Sequence, residues 1–564
     1  SLWQSILCHP DLMGDRVLNF NVGVLGHVDS GKTSLAKALS TQRSTACFDK
    51  HPQSQERGIT LDLGFSSFTT DLPEHLKGTG YDKVQYTLVD CPGHASLIRT
   101  VIGGAQIIDM MILVIDIVKG IQTQTAECIV LGEILAKDLV VVLNKVDMIT
   151  DTENHTRLQQ FERIKKRMRA TFAKTPWPNA PMVLMAANPN GGAPLGMNDL
   201  ISELQKKTHP TSSEGEDGYD KLLMYIDHCF AIKGQGTVLT GTVLQGSLAV
   251  GQNLHLPEFK MDKKVKSIQV FRKPVQSCTK GDRVGICVTQ FDASSLERGI
   301  ACAAQSEGVV CTFNTAIAKI SRVRFYKLPV DSNSKLHVTV GHTTVMATVR
   351  FFRNPTPAGD DATGFDMKAT YRWMPDLPVE PPAGDLYAIL FFEKSVIQAS
   401  NATLIAAKLD TDVNAAGCRL VLHGRIVHAA DQEEWKGLCV IKDKVKEAQL
   451  DRVVDEYNVI AKNLVTKDGD ISRFVGMKIH YQPKALLDES PSTEAQQLPV
   501  YLGVIDSTFG KAGKFKIRFD KPVFEKSSKI ETSAYTFALH FQVNQFDKTK
   551  KMLQPPDLGP RVSP

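Results

Sequence analysis

The sequence predicts a multidomain chain: an α/β domain with a phosphate-binding loop, then β-barrel domains, then a C-terminal mainly-β domain. Three observations predict it. An alternating apolar stretch runs into a Gly-rich turn and an amphipathic segment, "VLNFNVGVLGHVDSGKTSLAKAL". Two further apolar strands, "YTLVD" and "LVVVLN", each end in a polar motif. From residue 221 onward, short alternating runs are broken by Gly, which is the pattern of small barrels.

The chain has 564 residues, too many for one core. Its net charge of +5 is mild, so a basic partner surface must be local. No run approaches the roughly 18–20 apolar residues of a membrane span, and no membrane association is expected. The 11 cysteines show no CxxC pair. This argues against a zinc ribbon or a disulfide scaffold and for a reducing, cytoplasmic setting. Residues 1–16 lack a basic leader and read as an N-terminal extension.

The turn GHVDSGKT, residues 26–33, fits GxxxxGK[ST]. In this reading the loop from Asp29 through Ser30, Gly31, Lys32, Thr33 and Ser34 cradles phosphates at a helix N-terminus. Lys32 reaches the outer phosphates, and the Thr33 hydroxyl binds Mg²⁺. DxxG follows at residues 90–93: Asp90 holds the metal through water, and the Gly93 amide senses a γ-phosphate. NKxD follows at 144–147. The Asp147 carboxylate accepts two hydrogen bonds from guanine, a donor pair adenine lacks, so GTP is the expected nucleotide. Asn144 ties this loop to the phosphate loop, and the Lys145 stem covers the base. Between the first two motifs lies RGIT, residues 57–60, where Thr60 is placed as a mobile second Mg²⁺ ligand. A fifth element departs from pattern. "MAAN" carries Ala187, whose amide can meet the guanine carbonyl, but no serine to brace Asp147. The full reading is an α/β P-loop GTPase domain followed by β-barrel domains and a C-terminal mainly-β domain.

GHVDSGKT, RGIT, DCPGH and NKxD in this order resemble the translational GTPases related to elongation factor Tu. The resemblance extends into "GQGTVLTGTVLQGSLAVGQNLHL", similar to that family's second-domain barrel. It implies that His94 orients the attacking water and that Val28 and Ile59 form an apolar gate holding it back. It implies that Asp29 lies near the β–γ bridge, with a place there for a monovalent cation. Hydrolysis is then slow until the ribosome accelerates it.

The expected domains are a GTPase domain at 17–205, a linker at 206–220, barrels at 221–305 and 306–430, and a mainly-β domain at 431–564. The last has no counterpart in elongation factor Tu. From Lys511 to Lys551 it carries ten Lys/Arg against four Asp/Glu. On a period of 2, Phe515, Ile517 and Phe519 share one face and belong to a core. Lys514, Lys516 and Arg518 share the other and form a candidate RNA or ribosome surface. With "ERGITLDLGFSSF" and "GVIDSTFGKAGKFKI", this plan resembles the eukaryotic selenocysteine-specific elongation factors. The resemblance implies selenocysteyl-tRNA as cargo, the ribosome as partner, and a protein that binds the hairpin of selenoprotein messages. Bacterial members carry winged-helix repeats, and no such repeats are visible here.

"MYIDHCF" places Asp227, His228 and Cys229 side by side. On a regular strand His228 and Cys229 face opposite sides, so they do not form a dyad. A metal needs more ligands than these. The resemblance puts the aminoacyl end of tRNA here. General carriers have two acidic residues at the positions of Asp227 and His228, and an amide at Arg283. The change is toward positive charge. Selenocysteine is largely anionic at neutral pH, whereas cysteine, with a pKa of about 8.5, is not. A pocket of Asp227, His228 and Arg283 then favours a selenolate and leaves serine or cysteine without a charge partner. Arg283 is the expected main anion partner. A bulge is needed if both Asp227 and His228 are to line the pocket. Cys229 is expected in the core.

Two other classes are weaker. A GTP-switched, tRNA-binding initiation-type factor usually carries a Cys-rich zinc knuckle between Thr60 and Asp90, a stretch with no cysteine here. A general aminoacyl-tRNA carrier accounts for neither Arg283 nor the extra C-terminal residues.

Overall fold

The computed structural model describes residues 16–43, 63–93, 98–135, 137–151, 156–189, 192–210, 219–304, 309–354, 365–410, 417–430, 433–466, 469–483, 500–510, 513–524, 535–547 and 552–554. Ile59, Thr60 and His94 lie outside these residues. The chain divides into two compact units.

The first unit opens on an α/β layer. Its elements are β1 (Val17–Gly26), α1 (Lys32–Leu39), β2 (Gln42–Arg43), β3 (Gly64–Asp71), β4 (Lys83–Asp90) and α2 (Ile98–Ala105). They continue with β5 (Met110–Asp116), α3 (Thr123–Ile134), β6 (Asp138–Asn144), α4 (Arg157–Phe172), β7 (Met182–Leu184) and α5 (Met197–Lys207). The seven-stranded sheet runs β2–β3–β4–β1–β5–β6–β7. β1 pairs in parallel with β4 and β5, and β6 with β5 and β7. β5 and β6 are buried on both faces apart from Asp138, which is why they read as unbroken apolar runs. Phe20, Val22, Val24, Leu35, Tyr86, Ile112 and Val142 join one core, so the sheet fixes where the loops after β1, β4 and β6 emerge. α4 starts at a reciprocal cap between Thr156 and Gln159.

Next come β8 (Leu223–Ile232), β9 (Gly236–Gln245), β10 (Ser247–Ala249), β11 (Asn253–Leu256), β12 (Met261–Val270), β13 (Lys273–Val275), β14 (Ser277–Thr279), β15 (Arg283–Val288) and β16 (Gly299–Ala303). The order β11–β16–β8–β9–β15–β12 closes into a barrel because β12 pairs back onto β11. A second ring follows from β17 (Val310–Arg322), β18 (Lys335–Val340), β19 (Thr343–Arg353), β20 (Thr370–Met374), β21 (Leu386–Ala399), β22 (Thr403–Ala407) and β23 (Leu420–Ala430). The order β18–β22–β23–β17–β21–β19 closes through β18–β19; β20 belongs to the other unit.

The barrels are tied to the α/β layer by buried polar contacts. Asn21 Nδ2 donates to the Gly281 carbonyl at 3.0 Å, and Asn19 Nδ2 donates to Asp282. Arg419 donates to both oxygens of Glu127 on α3, each at 2.8 Å; the side chains are 9% and 3% exposed. A buried ion pair this well satisfied fixes an orientation more than it adds stability.

The second unit contains β24 (Cys439–Val453), β25 (Asn458–Lys462), β26 (Lys478–Pro483), β27 (Tyr501–Phe509), β28 (Lys514–Phe519) and β29 (Tyr535–Asn544). The order β24–β25–β28–β27–β26–β29 closes as β29 pairs with β24, giving a further barrel. Residues 352–354, 365–374 and 383–385 pack with this unit although they precede residue 431, because β20 pairs in parallel with β24. Phe515, Ile517 and Phe519 are buried. The opposite face is less positive than its sequence suggests. Lys514 and Lys462 both reach Asp451, at 2.7 and 3.1 Å, and Lys516 lies 3.8 Å from Asp506, leaving Arg518 as the exposed charge. The acidic partners come from β24 and β27, which a reading of β28 alone does not reveal.

Candidate functional site

The phosphate loop leaves β1 at Gly26 and enters α1 after Gly31, whose φ of 94° suits glycine. A Cβ on Gly31 would lie 2.2 Å from Asn144 Nδ2, so the close approach of the two loops also requires glycine. Asn144 Nδ2 donates to the Ser30 carbonyl at 2.9 Å, and its Oδ1 accepts from the Ala187 amide at 3.1 Å. One side chain therefore links three separate segments. This link stands where the sequence showed no bracing serine.

Lys32 is buried, and its ammonium donates to the His27 carbonyl at 2.7 Å. Burial lowers its pKa, and the nearby Asp90 carboxylate opposes that shift. Gly93 lies against the same ammonium: a Cβ there would sit 2.3 Å from Lys32 Nζ and 2.8 Å from the Val28 amide nitrogen. Thr33 Oγ1 donates to Asp90 Oδ2 at 2.7 Å. These two hard oxygen donors, adjacent at the loop mouth, suit a magnesium ion. The Ser30 hydroxyl is 2% exposed and has no hydrogen-bond partner among the described residues, an orphan within a phosphate cradle. Val28 is half-buried and Asp29 exposed in the same loop, Asp29 with a φ of 60°.

An open cleft lies beside this loop, lined among others by Ser34, Asn144, Lys145, Asp147, Ala187 and Asn188. Lys145 takes the left-handed backbone conformation, with a φ of 66°, and its ammonium meets Asp116 at 2.8 Å. Burial would raise the Asp116 carboxyl, but the Lys145 hydrogen bond and the amides of Lys119 and Val118 lower it overall. Sequence reasoning missed Asp116. The signal is its register opposite Asn144 across β5 and β6, which appears only once the strands are paired.

The second cluster is on the barrel. The β8–β9 ladder has a bulge between Ile226 and His228 that leaves Asp227 out of register. This is how neighbouring Asp227 and His228 reach the same side. Arg283 Nη2 donates to Asp227 Oδ1 at 2.8 Å, and Nη1 donates to Oδ2. Thr240 Oγ1 donates to Oδ1 at 3.0 Å, and the His228 ring lies 3.1 Å from it. Burial alone would raise the Asp227 carboxyl, but the Arg283 guanidinium, with His228, outweighs it and holds the carboxyl down at about 2. Arg283 is 3% exposed along its side chain. Within the chain its partner is Asp227, supplied by the bulge. A small cleft adjoins it, with Phe230, Gln269, Arg272 and Arg283 in its wall. Cys229 packs against the barrel core.

The chain thus joins a nucleotide-binding α/β domain to a barrel that carries a charged cluster. Residues 18–232 match the elongation factor Tu GTP binding domain, and the chain is a translational GTPase. Residues 317–424 match the third domain of eukaryotic selenocysteine-specific elongation factors, and residues 437–490 match the C-terminal RIFT domain of that family. The chain is 42% identical to the selenocysteine-specific elongation factor of Mus musculus over 92% of this chain and 91% of that protein. It is 32% identical to that of Methanocaldococcus jannaschii, over 90% and 95%. The fold is that of the translation elongation factor SelB of Methanococcus maripaludis bound to a GTP analogue: TM-score 0.67, 24% identity, 94% of this chain and 99% of that one. The chain belongs to the selenocysteine-specific elongation factors.

Proposed function

We propose that this chain is a GTP-dependent elongation factor that binds selenocysteyl-tRNA, delivers it to the ribosome at recoded UGA codons and hydrolyses GTP on codon recognition. The observation that carries the reading is the Asp227–His228–Arg283 cluster on the barrel of a chain belonging to this family. General carriers need no cationic group there, whereas a selenolate does.

In this proposal Lys32 and the loop amides hold the GTP phosphates, and Asp147 reads guanine. Mg²⁺, when bound, neutralises phosphate charge; Thr33 and Asp90 hold it, with Thr60 as the further ligand. His94 positions the attacking water behind the gate of Val28 and Ile59, and Asp29 faces a monovalent cation. The division into a GTPase domain at 17–205, barrels at 221–305 and 306–430 and a fourth domain at 431–564 belongs to the same reading. So do a partner protein that binds the message hairpin and a cytoplasmic location. Among the described residues no helix is long and apolar enough to cross a membrane.

The test is equilibrium binding of selenocysteyl-tRNA to the protein loaded with a GTP analogue or with GDP. Tight binding confined to the GTP-analogue form supports the carrier; equal affinity in both forms removes it.

A further inference from the structure

We infer that Phe65, a residue of the GTPase domain, is a positioning residue for the cargo pocket on the barrel. The inference rests on the reading of Asp227, His228 and Arg283 as that pocket. The Arg283 guanidinium carbon lies 3.5 Å from the centroid of the Phe65 ring. Phe65 is fully buried, yet it is not part of the apolar core beneath β1, which takes Phe68 from the same strand. An odd-numbered position on β3 puts Phe65 on the other side of that strand. Its burial there comes with the barrel's arginine.

Two constraints then define the guanidinium. Asp227 takes one edge through two hydrogen bonds, which sets rotation in the plane. Phe65 takes the face, which sets the plane itself. A guanidinium has five N–H donors in a rigid fork, so fixing edge and plane fixes the direction of every remaining donor. The backbone beneath is also pinned from the GTPase side. Gly281 and Asp282, the two residues before Arg283, accept from Asn21 and Asn19 of β1.

The placement of Phe65 on β3 has a second consequence. Gly64 stands opposite Asp90 in the β3–β4 ladder, and Asp90 receives the Thr33 hydroxyl at the nucleotide site. Adjacent residues of one strand thus pair with the metal-binding Asp90 and stack on the cargo-reading arginine. The pocket is complete only while the GTPase domain lies against the barrel. Charge selectivity for the aminoacyl group therefore depends on a residue that never needs to contact it.

The experiment compares one tRNA charged with selenocysteine or with serine, bound to the full chain loaded with a GTP analogue. The readout is the ratio of the two dissociation constants. Phe65→Leu keeps apolar volume but removes the ring, and it lowers the ratio about thirtyfold, the size of a desolvated cation–ring contact. Phe65→Tyr restores it. Arg283→Ala, run alongside, abolishes the ratio. If Arg283→Ala loses the ratio while Phe65→Leu keeps it, or weakens both tRNAs equally, the role of Phe65 is overturned and the pocket stands. If Arg283→Ala keeps the ratio, the pocket reading falls and the role of Phe65 falls with it.

Discussion

Arg283 and Asp227 form a two-point ion pair between strands of one barrel, with the arginine side chain 3% exposed. Removing one partner leaves a buried charge, which costs far more than the pair contributes. Asp227→Asn should destabilise the protein by about 3 kcal/mol in denaturant unfolding. Asp227→Leu combined with Arg283→Met should cost much less than the sum of the single changes. Additive costs would show that the two side chains do not act as a pair.

Asn144 should behave as the clasp of the nucleotide site. Asn144→Ala leaves the Ser30 carbonyl and the Ala187 amide without their shared partner. A loss of about 2 kcal/mol is expected, seen as roughly thirtyfold weaker binding of a fluorescent GTP analogue. Since β6 remains packed on both faces, the thermal midpoint should fall only slightly. An unchanged affinity would remove the clasp role.

Gly93 should tolerate no side chain. The space for its Cβ is already held by Lys32 Nζ and the Val28 amide nitrogen. Gly93→Ala should abolish ribosome-stimulated hydrolysis while keeping GDP binding within about tenfold. Retained stimulation would show that the loop can open to accommodate a methyl group.

His342 gives the pH dependence a defined sign. It packs edge-on to Tyr225, with ring centroids 5.1 Å apart, and Gly103 of α2 lies against its Cα. Burial lowers the imidazole to about 4; Arg298 adds to this and Asp227 opposes it. The unfolded chain therefore takes up this proton first, at a pH of about 6.5. Stability is complete above that value and falls as the pH drops toward 4, by about 2 kcal/mol at pH 4.5. His342→Gln should remove this part of the slope in unfolding measured at pH 7 and pH 4.5. Parallel slopes in both proteins would contradict it.

The features legible in the sequence were those in which neighbours in sequence are neighbours in space. GHVDSGKT, DCPGH and NKxD each occupy one strand end and the turn after it, so their chemistry could be read locally. The alternation in "KFKIRF" likewise separated Phe515 and Phe519 from the lysines, and both rings are buried. What depends on strand pairing was not legible. The partner of Lys145 is Asp116 on a neighbouring strand. The lysines of β28 meet Asp451 and Asp506 from strands distant in sequence. Arg283 was visible as a cation, but the carboxylate that engages it depends on a bulge at Asp227, and the ring beneath it comes from another domain.

The cargo can be identified directly. The protein, loaded with a non-hydrolysable GTP analogue, is used to capture tRNA from a total aminoacylated pool, and the bound tRNA is sequenced. Selenocysteine tRNA is expected as the sole enriched species, lost when GDP replaces the analogue. A mixed pool of elongator tRNAs, or initiator tRNA, would contradict it.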